Sequence, residues 1–92
     1  MIKSFGNKQT EKLWNGERVK FPSEILRRAM DKLYIIDSAT ALDDLRIPPA
    51  NHLEALTGDR DSQHSIRINR QWRICFRWDE RHAHDVEITD YH

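Results

Sequence analysis

The chain has 92 residues, 38% hydrophobic and 33% charged, a length that suits one domain spanning residues 1–92 with a modest core. Its 15 Lys and Arg balance 15 Asp and Glu, so no global basic field marks a nucleic-acid binder, and the single Cys75 excludes a disulfide framework or a multi-cysteine zinc motif. No apolar run approaches the roughly 20 residues that cross a bilayer, and residues 1–6 lack the apolar core of a secretory leader, so a soluble, cytoplasmic protein with no membrane partner is expected.

Residues 2–5 read as a short opening strand and residues 7–14 as a short helix, ended by Asn15-Gly16. Residues 22–37 form the clearest helix. Pro22 suits its first turn, with Ser23 and Glu24 supporting that end. Leu26, Ala29, Met30, Leu33 and Ile36 recur at three- and four-residue spacing as a buried stripe, while Arg27, Arg28, Asp31 and Lys32 fall mainly on the other side. Thr40 followed by Asp43 resembles a capping box for a one- or two-turn helix through Leu45, which Pro48-Pro49 ends.

The period then changes to two. Residues 52–56 read as a strand and Gly58-Asp59 as a turn. Over residues 65–69, Ile66 and Ile68 alternate with Ser65, Arg67 and Asn69. Over residues 72–78, Trp72, Ile74, Phe76 and Trp78 share one face, leaving Arg73, Cys75 and Arg77 on the other. A turn over residues 79–82 leads to Val86 and Ile88, which continue the alternation. The fold class that follows is α+β, a small antiparallel-rich sheet with helices packed on one face. Its other face carries arginines.

Between Ser62 and Trp78 the cations are Arg67, Arg70, Arg73 and Arg77, with no acid among them. Arginine suits bidentate phosphate contacts better than lysine does. A solvated strand face, balanced by acids elsewhere, accounts for the same pattern equally well. His82 and His84 make a His-x-His at a turn, but no third ligand is in view and no metal or cofactor is expected. Trp72, Phe76 and Trp78 are assigned to the core rather than to base stacking, and Cys75 to strand packing.

Three stretches, residues 51–60 (Asn51 through Gly58-Asp59-Arg60), residues 65–74 with Trp72-Arg73-Ile74, and the final Asp90-Tyr91-His92, resemble the HigB toxins of the RelE superfamily. With residues 1–5 the resemblance covers nearly the whole chain. It implies a sheet with two main helices on one face. It also implies a metal-independent endoribonuclease that cuts messenger RNA on the ribosome. The implied partners are the ribosome, mRNA and a HigA-like helix-turn-helix antitoxin, with operator DNA reached only through that antitoxin.

Metal-free RNA cleavage proceeds by attack of a ribose 2′-hydroxyl on the adjacent phosphate, and needs a base, an acid and cations around the phosphorane. Arg73 is the first choice for the phosphate, on the polar face of a central strand; the resemblance places the matching arginine in the active site. His92 and Tyr91 are the acid–base candidates that the resemblance implies, and Asp90 would hold the histidine's tautomer or bind RNA. Without the resemblance, an Asp-Tyr-His ending reads as a frayed tail. Some HigB toxins carry histidine and lysine where this chain has Glu54 and Thr57. Glu54 is therefore a candidate base, with an exposed strand carboxylate as the alternative. Arg60, Arg67 and Thr57 are candidates for RNA contact. A non-catalytic inhibitory ribosome binder under the same antitoxin is the competing reading, and a DNA-binding partner lacks a recognition helix.

Overall fold

The computed structural model describes residues 1–90; Tyr91 and His92 lie outside the described residues. The first helix, α1 (Lys8–Trp14), starts at Asn7, whose side-chain oxygen accepts the Thr10 amide at 2.9 Å. That contact satisfies one of the amides a helix start leaves unpaired. The long helix α2 (Ser23–Ser38) starts after Pro22. Its fully buried stripe is Ile25, Ala29, Leu33 and Ile36. The stripe shares Ala29, Leu33 and Ile36 with the expected one, but Ile25 takes the place of Leu26, and Met30 is only half-buried.

A 3-10 helix over Leu42–Arg46 follows, and here the cap differs from expectation. Asp44, not Asp43, turns back to accept the amides of Thr40 and Ala41 at 3.0 and 3.1 Å. Asp43 pairs instead with Arg46 at 2.9 Å. These hydrogen bonds favour the charged form of Asp44, and its carboxyl is held below the usual range, first by the Thr40 amide and then by that of Ala41.

The sheet has four antiparallel strands in sequence order: β1 (Glu54–Ala55), β2 (His64–Arg67), β3 (Trp72–Asp79) and β4 (His82–Asp90). The strand expected over residues 52–56 shrinks to two residues. Pro49–Asn51 forms a 3-10 turn that ends on His52 in the left-handed region, φ 46°, which no strand can continue. The opening strand is likewise reduced, to two isolated parallel bridges, Ile2 to Ala83 and Phe5 to Val86. These bridges still have a purpose. They cover the outer edge of β4 with backbone bonds such as Gly6 N to Val86 O at 2.8 Å. A side chain on Gly6 would meet the Asp85 carbonyl at 2.8 Å, so this close approach requires glycine.

Between Cys75–Glu87 and Arg77–His84 the register slips by one residue, a bulge in β4 with Asp85 at φ 54°. The bulge lets Ala83, Val86 and Ile88 all face the core. There they meet Ile66, Ile74 and Phe76 from the neighbouring strands and the buried stripe of α2. The helices therefore cover one face only. The other face carries Arg73, and no helix of the pair α1 and α2 lies across its centre; the turns around His52 and Arg60 approach it instead.

Candidate active site on the open face of the sheet

Cross-strand register builds two rows on the face away from α2. Glu54, Ser65, Cys75 and Glu87 stand side by side across all four strands. One same-face step along the sheet, Arg67, Arg73 and Thr89 form the second row. Both rows follow from two-residue alternation, because Ile66, Ile74, Ile88 and their neighbours claim the opposite face.

Arg73 is at the centre and only 8% exposed. Its Nε donates to the Ser65 hydroxyl at 2.8 Å, and its Nη2 donates to the His52 carbonyl at 2.7 Å. A longer bond runs from Nη2 to the Ser65 carbonyl at 3.4 Å. The guanidinium plane is thus fixed from two elements, β2 and the turn before β1. The left-handed turn at His52 therefore aims a carbonyl at Arg73.

Arg60 leaves the 3-10 turn Gly58–Arg60 and meets Glu87 of β4 at 2.6 Å, with a second bond to Gln63 at 3.1 Å. Glu87 also accepts from the Asn7 amide at 3.4 Å, which ties the start of α1 to the same face. Arg77 pairs with Asp85 of the bulge at 3.4 Å. The expected arginine face is therefore corrected. Of its four arginines Arg77 is matched by a carboxylate, a further carboxylate, Glu87, stands on the same face paired with Arg60 of the turn, and Arg70 lies on the loop after β2 rather than on the sheet.

The remaining candidates scatter around this centre. Glu54 is exposed at the edge strand, its side chain with no hydrogen bond or ion pair among the described residues, and it shares the face of Ser65. From strand spacing and rise, its Cα stands roughly 12 Å from that of Arg73. Thr57 is exposed and precedes the 3-10 turn that carries Arg60, without a side-chain capping bond. Arg67 uses its Nε on the Asn69 carbonyl at 3.0 Å. Asp90 stands opposite Trp72 in register, one position past the Arg73–Thr89 pair, and accepts from the Gln71 amide at 3.0 Å. Alternation gives it the parity of the core face, and it is the last described residue before the two predicted acid–base groups.

Cys75, in the middle of the first row, is fully buried. Burial pushes its thiol up, the Glu87 charge adds to that, and the Arg60 and Arg73 charges oppose it. A neutral thiol at physiological pH packs; it does not attack.

Residues 3–92 match the family described as the RelE-like toxin of the type II toxin–antitoxin system HigB. The chain belongs to the HigB family of RelE-like toxins. Toxin HigB-1 of Vibrio cholerae is 39% identical over 80 residues, covering 85% of this chain and 84% of that one. Endoribonuclease HigB of Proteus vulgaris is 34% identical over 93 aligned positions, covering both chains fully. An uncharacterized protein of Haemophilus influenzae is 34% identical over 72 residues, or 78% of this chain and 71% of its own. The expected α+β architecture, with a four-stranded antiparallel sheet, agrees with the RelE-like toxin fold.

Sequence reasoning missed two residues of this candidate site. Glu87 is flanked by Val86 and Ile88, so alternation alone puts it on the open face. Ser65 could be placed on that face in the same way. Nothing in the sequence, however, marks the His52 carbonyl as an arginine acceptor, because any residue supplies a carbonyl.

Proposed function

We propose that this toxin is a ribonuclease that cuts messenger RNA during translation, with the open face of the sheet as its active site. The observation that carries this reading is the Arg73 guanidinium, held between Ser65 and the His52 carbonyl in the middle of that face. A cation fixed before the substrate arrives needs no reorganisation when charge builds on the phosphorane. The name of the Proteus vulgaris relative, an endoribonuclease, points the same way.

In this reading a ribose 2′-hydroxyl attacks the adjacent phosphate and the 5′-oxygen leaves, which also explains discrimination against DNA. Arg73 supplies positive charge beside the phosphate. Glu54 takes the 2′ proton, and His92 with Tyr91 protonates the leaving oxygen and holds the strand. Asp90 orients that pair from the end of β4. Arg67, Arg60 and Thr57 line the approach, Arg60 through its anchored position beside Glu87. No metal is required by this chemistry. The whole chain acts as one toxin domain in the cytoplasm, entering the ribosome to reach its mRNA and silenced by a HigA-like helix-turn-helix antitoxin that also links it to operator DNA.

One observation favours a non-catalytic inhibitor instead: at 8% exposure Arg73 presents little surface to a ligand. Mapping of mRNA 5′ ends after brief induction separates the two. The nuclease produces cuts in translated frames that vanish in Arg73→Lys and His92→Ala variants and fall in Glu54→Gln. Growth arrest with no new ends in the parent chain would overturn the nuclease and leave the inhibitor. Thermal melts of each variant keep loss of activity apart from loss of fold.

A further inference from the structure

A second cationic feature lies around the edge of the sheet from Arg73. Because β1 pairs only with His64 and Ser65, the far end of β2 has no neighbour on that side. A groove of about 670 Å³ opens there, between α2, the turn ending at His52 and the loop after β2. Arg28 and Lys32 line it from α2, and Arg67 and Arg70 from the strand end and loop. One acid, Asp31, also lines it.

These four cations form no ion pair among the described residues. The chain has as many acids as bases, so their isolation is a matter of placement and not of composition. Arg28 and Lys32 are four apart on one helix face, where like charges oppose the helix. Arg28 spends one donor on the Ile68 carbonyl at 3.3 Å, which fixes its head at the groove's inner wall. Lys32 donates to the buried Asn51 amide oxygen, and burial followed by the nearby Arg28 charge holds its ammonium below the usual lysine range. Arg70 is exposed, and its side chain has no hydrogen bond or ion pair among the described residues. Four crowded cations against the single acid Asp31 in a concave site are the arrangement an oligoanion relieves.

The groove is continuous with the candidate active site. Arg67 belongs to both, and His52 lines the groove while its carbonyl holds Arg73. We infer that Arg28, Lys32 and Arg70 form a second phosphate subsite, which holds the backbone of the substrate RNA strand where it passes beyond the cleaved bond. This inference rests on the open sheet face being the cleavage site. It adds a path for the strand, around the free end of β2 and onto α2. Recognition there is of phosphates and not of bases, so the subsite adds affinity and salt dependence without sequence preference.

The test uses fluorescence anisotropy with 2′-O-methyl RNA oligonucleotides, which cannot be cleaved because the attacking hydroxyl is blocked. Lengths of roughly 4 and roughly 12 nucleotides bracket a short single-strand site. The unaltered protein is expected to bind the longer strand more tightly and with a steeper salt dependence. In Arg28→Gln with Arg70→Gln the gain with length disappears, and the slope of log affinity against log salt flattens by about 1.4, at about 0.7 for each phosphate no longer neutralised. Arg70→Gln alone gives half that change and breaks no bond of the fold. The short strand binds all these proteins equally.

A double variant that keeps the full gain with length overturns the subsite, as does an unaltered protein that binds neither strand at low salt. Tighter binding of an RNA duplex than of the single strand, abolished in the double variant, overturns the assignment to substrate and points to folded RNA. Failure of the cleavage-site reading looks different. There Arg73→Lys binds the short strand as the parent does and still cleaves mRNA, while the effect of length is untouched.

Discussion

The Nε of Arg73 donates to the Ser65 hydroxyl at 2.8 Å, although register sets Ser65 opposite Cys75 and not opposite Arg73. The arginine thus reaches one same-face step along the neighbouring strand, and the hydroxyl fixes how its guanidinium lies. Ser65 is a positioning residue in this arrangement. Ser65→Ala is expected to cost about 2 kcal/mol of stability, because it removes a buried hydrogen bond to a charged group. It should also lower mRNA cleavage at saturating toxin about tenfold, as the phosphate-facing cation loses its orientation. Ser65→Thr keeps the hydroxyl and should keep most of the activity. Equal activity of all three proteins would remove Ser65 from the mechanism.

The Arg60–Glu87 pair joins the turn before β2 to β4 at 2.6 Å, with side chains 33% and 21% exposed. Partial burial makes it stronger than a surface ion pair without the full desolvation cost of a core one. A double-mutant cycle through Arg60→Ala and Glu87→Ala should give a coupling of about 1 kcal/mol in urea unfolding. A coupling near zero would mean that the two groups are held by their other contacts.

Cys75 supplies a pH dependence. Its folded thiol keeps a proton to higher pH than the unfolded one, whose ordinary value is 9.0. Above that value the unfolded chain binds fewer protons, so stability falls as pH rises. The thiol's contribution is complete below the unfolded value and is lost as pH climbs through the raised folded one. Melting temperatures from pH 7 to pH 10 should therefore fall more steeply for the parent protein than for Cys75→Ala. In the folded protein at neutral pH, alkylation of Cys75 should be slow and track global unfolding. Rapid modification would show that the thiol is reached from the open face.

Asn51 is fully buried, and its amide donates to the carbonyls of Leu45 and Ile47 at 3.1 and 3.2 Å while accepting from Lys32. It pins the proline-bearing turn, and so His52, against α2. Asn51→Ala leaves two carbonyls unpaired and should cost about 3 kcal/mol. Activity should fall further than stability explains, because the His52 carbonyl no longer has a fixed position under Arg73. A melt lowered with full cleavage retained would show that Ser65 alone suffices.

Much of the architecture was readable because periodicity is local. The run from Trp72 to Trp78 commits alternate residues to opposite faces whatever lies beside it, and the open-face position of Arg73 follows. The stripe of α2 was legible for the same reason, to within one residue of phase. Capping was less so: Asp43 and Asp44 are chemically alike, and only the path of the chain from Thr40 selects the second. The short β1 escaped because the two prolines and the left-handed His52 override an alternating pattern.

The sequence by itself determined the family, the α+β class, the face on which Arg73 stands and the chemistry its resemblance implies. Tertiary structure alone decided which groups surround that arginine. Arg60 and Glu87 are 27 residues apart, and Arg73 and the His52 carbonyl 21. Such pairs depend on strand register, on a bulge at Asp85 and on a turn held by a buried asparagine. Local spacing fixes the direction in which a side chain leaves the backbone, but its partner is set by how distant segments pack.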